Sequence, residues 1–388
     1  MIDLEQALEI VRAVPSSGRV QTVDLRDARA RVLARAVTSP VDSPPFDKST
    51  MDGFAVDGAR DVPEYRILET IPAGNTPRRT LGPGECARIM TGAMLPPGAV
   101  RVIRKEFVHE AGGIIRPTRA EPVDNVVKRG ANLKAGEPVL GPKVLTPQDI
   151  GILASSGIAT VEVAAAPVVS IICTGQEIRD PGTPLDPGQI YNSNGPQLRA
   201  QLDAARCPCL SMVTVGDEPR ALSAAMAEAL TACDLLLLTG GVSAGDFDYV
   251  PGCLRELGAE ILFHRVSVKP GKPVLFARRG ERFVFGLPGN PVSVLVIFEV
   301  FVKPFLYHRM GLDWDPPVFR GMLARTVRRP DAERTEFLPV RVRQGVVTPV
   351  VFHGSSHLNA FGETDGLMRV EKGVTEIPEG AVIDVRPL

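Results

Sequence analysis

Four consecutive leucines, Leu235 to Leu238, run directly into Thr239-Gly240-Gly241-Val242-Ser243-Ala244-Gly245, and this stretch constrains the chain more than any other. An apolar run without a solvent face reads as a strand buried on both sides of a parallel sheet, with helices above and below. Glycine after it lets the backbone turn sharply and approach an anion closely. Two carboxylates, Asp246 and Asp248, follow at once. Open α/β folds bind ligands at such carboxyl ends of strands. The loop is not a nucleotide P-loop, because the Gly-Lys-Ser/Thr ending is missing and acids stand where that lysine would be. Acids beside an anion cradle predict a divalent cation bridging protein and phosphate. The plainer alternative is a glycine-rich strand-to-helix turn with surface acids.

The same alternation extends over Val168–Leu306. Strand-like runs at 168–173, 210–215, 234–238, 261–264, 274–277 and 283–285 are separated mostly by helical patterns at 195–205, 219–231, 250–257 and 291–306. That order predicts a three-layer α/β domain with a largely parallel sheet. On its N-terminal side the chain is mixed. Leu4, Ala7, Leu8 and Val11 share a helical face behind a capping Asp3, and a second helical pattern covers Asp24–Val37. Pro40, Pro44 and Pro45 then force an extended connector. Short strand-like runs between Tyr65 and Asn132 read as a small β domain, inserted between flanks that together form another region. After Trp314-Asp315-Pro316-Pro317 the short strands near 319–327, 336–343, 346–351, 367–371 and 381–385 predict a C-terminal β-barrel or sandwich.

With 388 residues, about two to four domains are expected. A formal net charge of −1 gives no global attraction to nucleic acid or an anionic membrane. The N-terminus lacks a basic run followed by an apolar segment, so no signal peptide is read there. The greasiest run, Val294–Val302, is broken by Glu299 and falls short of the ~20 residues of a membrane span. Six scattered cysteines without a CxxC pair fit buried thiols in a reducing cytoplasm, although Cys207-Pro208-Cys209 leaves a chelating pair open. The histidines show no metal spacing, and His357 is the one least readily dismissed.

Five loops fall after or beside strands of the α/β region and so share a rim: Thr174–Glu177, Gly216–Glu218, the Gly240 loop, Lys269–Pro273 and Gly286–Ser293. Together they supply the carboxylates Glu177, Asp217 and Asp248, the lysines Lys269 and Lys272, and glycine backbone. A helix beginning at Pro291–Ser293 adds N–H groups that attract an anion. Acids and lysines on one rim fit a metal-assisted reaction at a phosphoanhydride. The arginines between Arg320 and Arg343 read either as an anion site or as alternating charge on an exposed strand face.

Taken in order, these motifs resemble the molybdopterin molybdenumtransferases, the MoeA/gephyrin E-domain family. The resemblance rests on SPPFDKSTMDGFAV from Ser43, Met90-Thr-Gly-Ala, Thr174-Gly, Gln189-Ile-Tyr-Asn-Ser-Asn, Gly240-Gly-Val-Ser-Ala-Gly-Asp-Phe-Asp-Tyr, Lys269-Pro-Gly-Lys-Pro and Gly286-Leu-Pro-Gly-Asn-Pro-Val-Ser. It implies a multidomain α/β plus β subunit: a discontinuous linker domain (1–45 and 133–166), a small inserted β domain (46–132), a central three-layer MogA-like α/β domain (167–312) and a C-terminal β-barrel (313–388). It further implies a cytoplasmic homodimer that takes adenylylated molybdopterin, cleaves its phosphoanhydride with Mg²⁺ or Zn²⁺, releases AMP and inserts molybdate. Asp52, Thr91, Glu177, Asp217 and Asp248 would be catalytic, the last three holding the cation. Substrate would be bound by Gly240, Gly241, Ser243, Gly245, Lys269, Lys272, Pro273, Gly289, Asn290, Ser293, Arg334 and Ser355. A molybdopterin adenylyltransferase or an apo-molybdoenzyme would be a further partner, and neither nucleic acid nor a membrane is expected. The chain departs from the family at Gln176, Lys48, Ala131-Asn132 and Val100, where an acid or Asn is usual. Those losses keep a gephyrin-like protein-binding scaffold open as the alternative.

Overall fold

The computed structural model describes residues 1–58, 62–242 and 249–388, which divide into two compact units. One unit comprises Met1–Gln21, Ala30–Ala34 and Val163–Leu388, and the other Thr22–Arg29 and Arg35–Glu162. In the first, the leucine run is the strand Leu235–Thr239, every residue of which is buried. It lies in a six-stranded sheet ordered Cys209–Val215, Val169–Thr174, Leu235–Thr239, Arg282–Leu287, Leu275–Arg279, Glu260–His264. The first three pairings are parallel and the last two antiparallel, so the sheet is mixed at one end.

Both faces are covered, as the unbroken apolar run requires. Leu236 and Leu238 pack with Leu222, Met226 and Leu230 of the helix Pro219–Ala232 and with Leu254 of the helix Val250–Glu256. By register, Leu235 and Leu237 share the opposite face with Phe283 and Phe285, whose rings stack with Phe276 and meet Phe305 edge-on. Each leucine side chain removed from water contributes about 2 kcal/mol. Phe305 belongs to a helical segment, Pro291–Arg309, that is long and apolar enough to cross a membrane by length and composition. The sequence run ending at Val302 understated it, because a π-helical turn, Phe298–Val302, carries the helix onward. It is 72% buried within the fold, so its greasiness belongs to the core.

C-terminal to this sheet, five strands close into a barrel. Thr335–Arg343, Val346–Pro349, Phe319–Leu323, Val382–Pro387 and Gly366–Val370 pair in that order, and the last returns to the first. The inward residues of alternating strands, including Leu323, Val340, Val347, Met368 and Val385, fill it.

In the second unit, a six-stranded sheet is ordered Arg101–Arg104, Gly53–Val56, Glu85–Ile89, Tyr65–Ile71, Ile114–Pro117, Val108–Ala111. Strand periodicity assigns its residues to two cores: Ala55, Ala87 and Val102 enter one, and Phe54, Val56, Cys86 and Ile103 the other. Gly53 sits where a Cβ would collide with the Ile103 carbonyl, so only glycine fits beside Asp52. The helix expected over 24–37 does not form. Asp24 accepts the Arg26 N–H at 2.9 Å and closes a short 3₁₀ turn, Leu25–Asp27, and Ala30 at φ 62° turns the chain out of any helix. Buried Leu25, Ala28, Val32 and Leu33 imitate helical spacing without being one.

Asp234, at the entrance to the leucine strand, anchors the sheet. Its carboxylate accepts the Val168 N–H (2.9 Å), Arg19 (2.6 Å) and Arg282 (3.0 Å). Burial alone would raise its pKa, but the Val168 N–H and the two arginines outweigh burial and hold it below the ordinary aspartate value. A carboxyl with a lowered folded pKa stabilises above its unfolded value, and that stability is lost as pH falls through the folded one. Asp234→Asn is therefore expected to cost about 2 kcal/mol at pH 7. Urea denaturation from pH 7 to pH 3 should show the gap to wild type narrowing below about pH 4.

Candidate functional site

Four parallel strands, Val169–Thr174, Cys209–Val215, Leu235–Thr239 and Arg282–Leu287, deliver their C-terminal loops to one rim of the sheet. There the backbones come close. A Cβ on Gly240 (φ 88°) would lie 2.6 Å from the Thr174 hydroxyl, and one on Gly289 would touch the Gly240 Cα at 3.8 Å. The Gly240 N–H donates to the Leu287 carbonyl at 3.1 Å, locking the two loops together. The result is a cavity of about 520 Å³ whose lining includes Glu177, Asp217, Gly240, Gly241, Gly289 and Asn290. Asp217 accepts the Gln176 N–H at 3.4 Å. Asn194, 6% exposed, donates to the Gly289 carbonyl at 2.7 Å, and its side-chain oxygen finds no partner among the described residues. Ser243, Gly245 and Asp248 lie outside the described residues.

A second cavity, about 570 Å³, adjoins the first through Asn290, which lines both. It gathers Lys269, Lys272, Pro273, Asn290, Ser293, Arg334 and Ser355, seven positions expected to hold substrate. One wall is built where the two-residue strand Val268–Lys269 pairs in parallel with the start of the barrel strand Thr335–Arg343, Val268 with Thr335 and Lys269 with Glu336. The Lys269 ammonium lies 2.9 Å from the buried Glu336 carboxylate, which also faces Arg329 at 3.5 Å. Arg329 is spent on structure, donating to the carbonyls of Val374 (2.6 Å), Arg334 (2.9 Å) and Glu371. It thereby clamps the loop that carries Arg334. Lys272 makes no ion pair among the described residues, and Arg334 only a long one (3.5 Å) to Asp331. The Asn290 amide donates to the Ser355 hydroxyl oxygen at 2.8 Å, leaving that hydroxyl's hydrogen to point elsewhere. Lys272, Arg334, Ser293 and Ser355 thus offer donors suited to an oxyanion.

Glu336 and Asn194 are not singled out by the sequence reading, although Asn194 lies in the quoted Asn192-Ser193-Asn194 run. Arg329 belongs to the arginine group read either as an anion site or as exposed alternating charge, and its burial at 8% exposure sets it apart from the exposed-charge reading. Of the other arginines, Arg328, Arg341 and Arg343 pair with Glu376, Glu363 and Asp365 at the surface, so alternating charge explains them. His357 serves structure: its ring stacks on His353 and its Nδ1 accepts the His353 N–H at 3.1 Å, closing the loop that bears Ser355. All six cysteines are free, and five are buried.

Asp52 and Thr91 lie in the other unit and meet each other. One Asp52 oxygen accepts both the Thr91 N–H and the Thr91 hydroxyl at 2.9 Å, with Lys105 3.6 Å from the carboxylate. These Thr91 hydrogen bonds, with Lys105 adding charge, hold the Asp52 carboxyl below the ordinary aspartate value. Thr91→Val removes the hydroxyl donor and should move that pKa upward, read by carboxyl NMR titration. An unchanged value would remove the Thr91 hydroxyl as a cause and leave its backbone N–H, which the variant retains.

An α/β domain with a glycine-lined acidic cavity beside a basic one at its sheet rim, joined to a β-barrel, defines a class of ligand-binding α/β proteins. Sequence comparison narrows that class. Residues 2–157 match the model of the MoeA N-terminal region (domain I and II), 170–308 that of a probable molybdopterin binding domain, and 323–388 that of the MoeA C-terminal region (domain IV). The chain is 37% identical to the molybdopterin molybdenumtransferase of Bacillus subtilis over 319 residues, 79% of this chain and 74% of that protein. It is 32% identical to that of Haemophilus influenzae over 400 residues, covering 100% and 98%. The crystal structure of a molybdopterin biosynthesis MoeA protein from Pyrococcus horikoshii superposes with a TM-score of 0.86 at 27% identity, covering 100% of both chains. Another from the same source gives 0.83 at 31% identity. The chain belongs to the molybdopterin molybdenumtransferase family, a family of transferases in molybdenum-cofactor biosynthesis.

Proposed function

We propose that this protein inserts molybdate into adenylylated molybdopterin and releases AMP, working as a cytoplasmic homodimer with the four-domain division given above. The observation that carries this reading is the pair of adjoining cavities of opposite charge that share Asn290. A phosphoanhydride and a tetrahedral dianion need neighbouring sites of that kind, one for a cation and one for the incoming oxyanion. Glu177 and Asp217 supply hard oxygen donors, and the unpartnered Asn194 oxygen adds a neutral one. Neither histidine nor cysteine is among the cavity's described lining, so this donor set suits Mg²⁺ better than Zn²⁺. Asp248 is the further carboxylate we assign to the cation. When bound, such a cation would neutralise charge developing on the phosphoanhydride oxygens.

The chain's own groups supply the rest. Gly240 and Gly241 let backbone approach the substrate phosphate, with Ser243 and Gly245 continuing that loop in our assignment. Gly289 and Asn290 fix the border between the cavities. Lys272 and Arg334 hold the oxyanion by charge, Ser293 and Ser355 by hydroxyl donation, while Lys269 and Pro273 shape its entrance. We assign Asp52 and Thr91 of the second subunit to the substrate. Upstream stands an adenylyltransferase that makes the adenylylated pterin, and downstream an apo-molybdoenzyme that takes the product. The scaffold alternative is not favoured, because the relatives are named as transferases and the oxyanion cavity is fully furnished.

Purified protein with Mg²⁺ and adenylylated molybdopterin should release AMP in a molybdate-dependent way. Asp217→Ala should lower that rate by about a hundredfold while oligomeric state and melting hold. Lys272→Ala should raise the molybdate requirement about tenfold, and more at higher salt. Wild-type rates in both variants would remove the assignment.

A further inference from the structure

The turn that follows the leucine strand is tied down by a residue far from either cavity. After Gly240 (φ 88°) and Gly241 (φ 63°) the chain folds back over the sheet, and Val242 is buried. Its side chain lies over Gly286 of the strand Arg282–Leu287, where a Cβ would come 2.7 Å from Val242 Cγ1, and it shares an apolar cluster with Leu275 of the next strand. The edge strand beyond that, Glu260–His264, completes the reach. At its last residue, His264 Nε2 lies 2.8 Å from the Val242 carbonyl oxygen. A carbonyl only accepts, so Nε2 carries the hydrogen. Two further ties hold the same turn: the Gly240 N–H donates to the Leu287 carbonyl (3.1 Å), and the Val250 N–H donates to the Gly241 carbonyl (3.2 Å). Those two run from backbone to backbone. The tie to His264 depends on a side chain, and so on the residue type at that position.

Resting on the reading in which Gly240 and Gly241 receive the substrate phosphate, we infer that His264 is a positioning residue for substrate binding. Its bond to the Val242 carbonyl holds the glycine turn at the rim of the acidic cavity in the conformation that meets the phosphate. His264 is not among the described residues lining that cavity, so it acts through the turn and not on the ligand. Two successive glycines are the least constrained backbone a chain can offer, and left free they would sample many conformations. A ligand that meets an already ordered turn loses less affinity to ordering it. Without His264 the buried Val242 carbonyl would lack its donor, and the turn would have to open for water to supply one.

Calorimetric titration of the full-length protein with AMP in the presence of Mg²⁺ reads binding at this cavity without turnover. His264→Phe keeps an aromatic ring and loses the donor. AMP affinity should then fall about tenfold, and KM for adenylylated molybdopterin should rise by as much while kcat stays within about threefold. His264→Gln, whose side-chain amide donates from a similar reach, should restore most of the affinity. Molybdate affinity belongs to the neighbouring cavity and should keep its wild-type value in both variants, whereas a general loosening of the fold would lower it too. Unchanged AMP affinity in His264→Phe, a parallel fall in molybdate affinity, or a Gln variant no better than the Phe one would overturn the inference. Wild-type protein that neither binds AMP nor releases it from adenylylated molybdopterin would instead remove the phosphate reading of the cavity, and this inference with it.

Discussion

Two residues of backbone pairing hold the functional half of this protein together. Val268 and Lys269, in the connection between the sheet strands Glu260–His264 and Leu275–Arg279, run parallel to Thr335 and Glu336 at the start of the longest barrel strand. Around that pairing the Thr335 N–H donates to the Ser267 carbonyl (3.2 Å), and the Ser267 hydroxyl to the Glu333 carbonyl (3.2 Å). Parallel register brings like-numbered side chains to the same face, so fixing the backbone also fixes Lys269 against Glu336. The basic cavity is a consequence of this junction, since one wall comes from the α/β loops and the other from the barrel. A loosened junction would disperse Lys272, Arg334 and Ser355 before it unfolded either core.

The charges are segregated with little waste. Carboxylates project from the loops after the strands ending at Thr174 and Val215, while the cations come from the connection after His264 and from the barrel. Between them stands Asn290, neutral, touching both cavities and bonded to Ser355. A free salt bridge between the two cavities would have silenced both, because ion pairs satisfied within the protein have less to offer a ligand.

What the sequence disclosed, it disclosed through local constraints. The four leucines could only be a doubly buried strand, and the strand-helix alternation of 168–306 could only stack as an α/β domain. Glycine at 240 is legible as the turn that must follow a buried strand, and the structure adds a second reason for it, the Thr174 hydroxyl 2.6 Å from where a Cβ would lie. The lysines, Arg334 and Ser355 were named together only by family resemblance, since no spacing rule joins residues so far apart. Glu336 stayed hidden for the same reason: its meaning depends on which strand it pairs with, and the 268–269 pairing is invisible in either segment alone. The segment 24–37 misled for the opposite reason. Its apolar residues recur at helical spacing, yet an Asp24 side chain competing for the Arg26 N–H ended the turn after three residues.

The positions where this chain departs from its family also become interpretable. Lys48 lies in a strand paired with Val126 and Val127, and Val100 donates its N–H to the Val56 carbonyl at 3.0 Å. Ala131 and Asn132 donate theirs to the carbonyls of Lys128 (3.1 Å) and Ser43 (2.9 Å). Each of these positions is used for its backbone, which any residue other than proline supplies. Gln176 follows the same logic at the acidic cavity, because it is its N–H that reaches Asp217. Replacing an acid there removes one negative charge beside the cavity but leaves the Asp217 hydrogen bond in place. The fold is therefore indifferent to these substitutions.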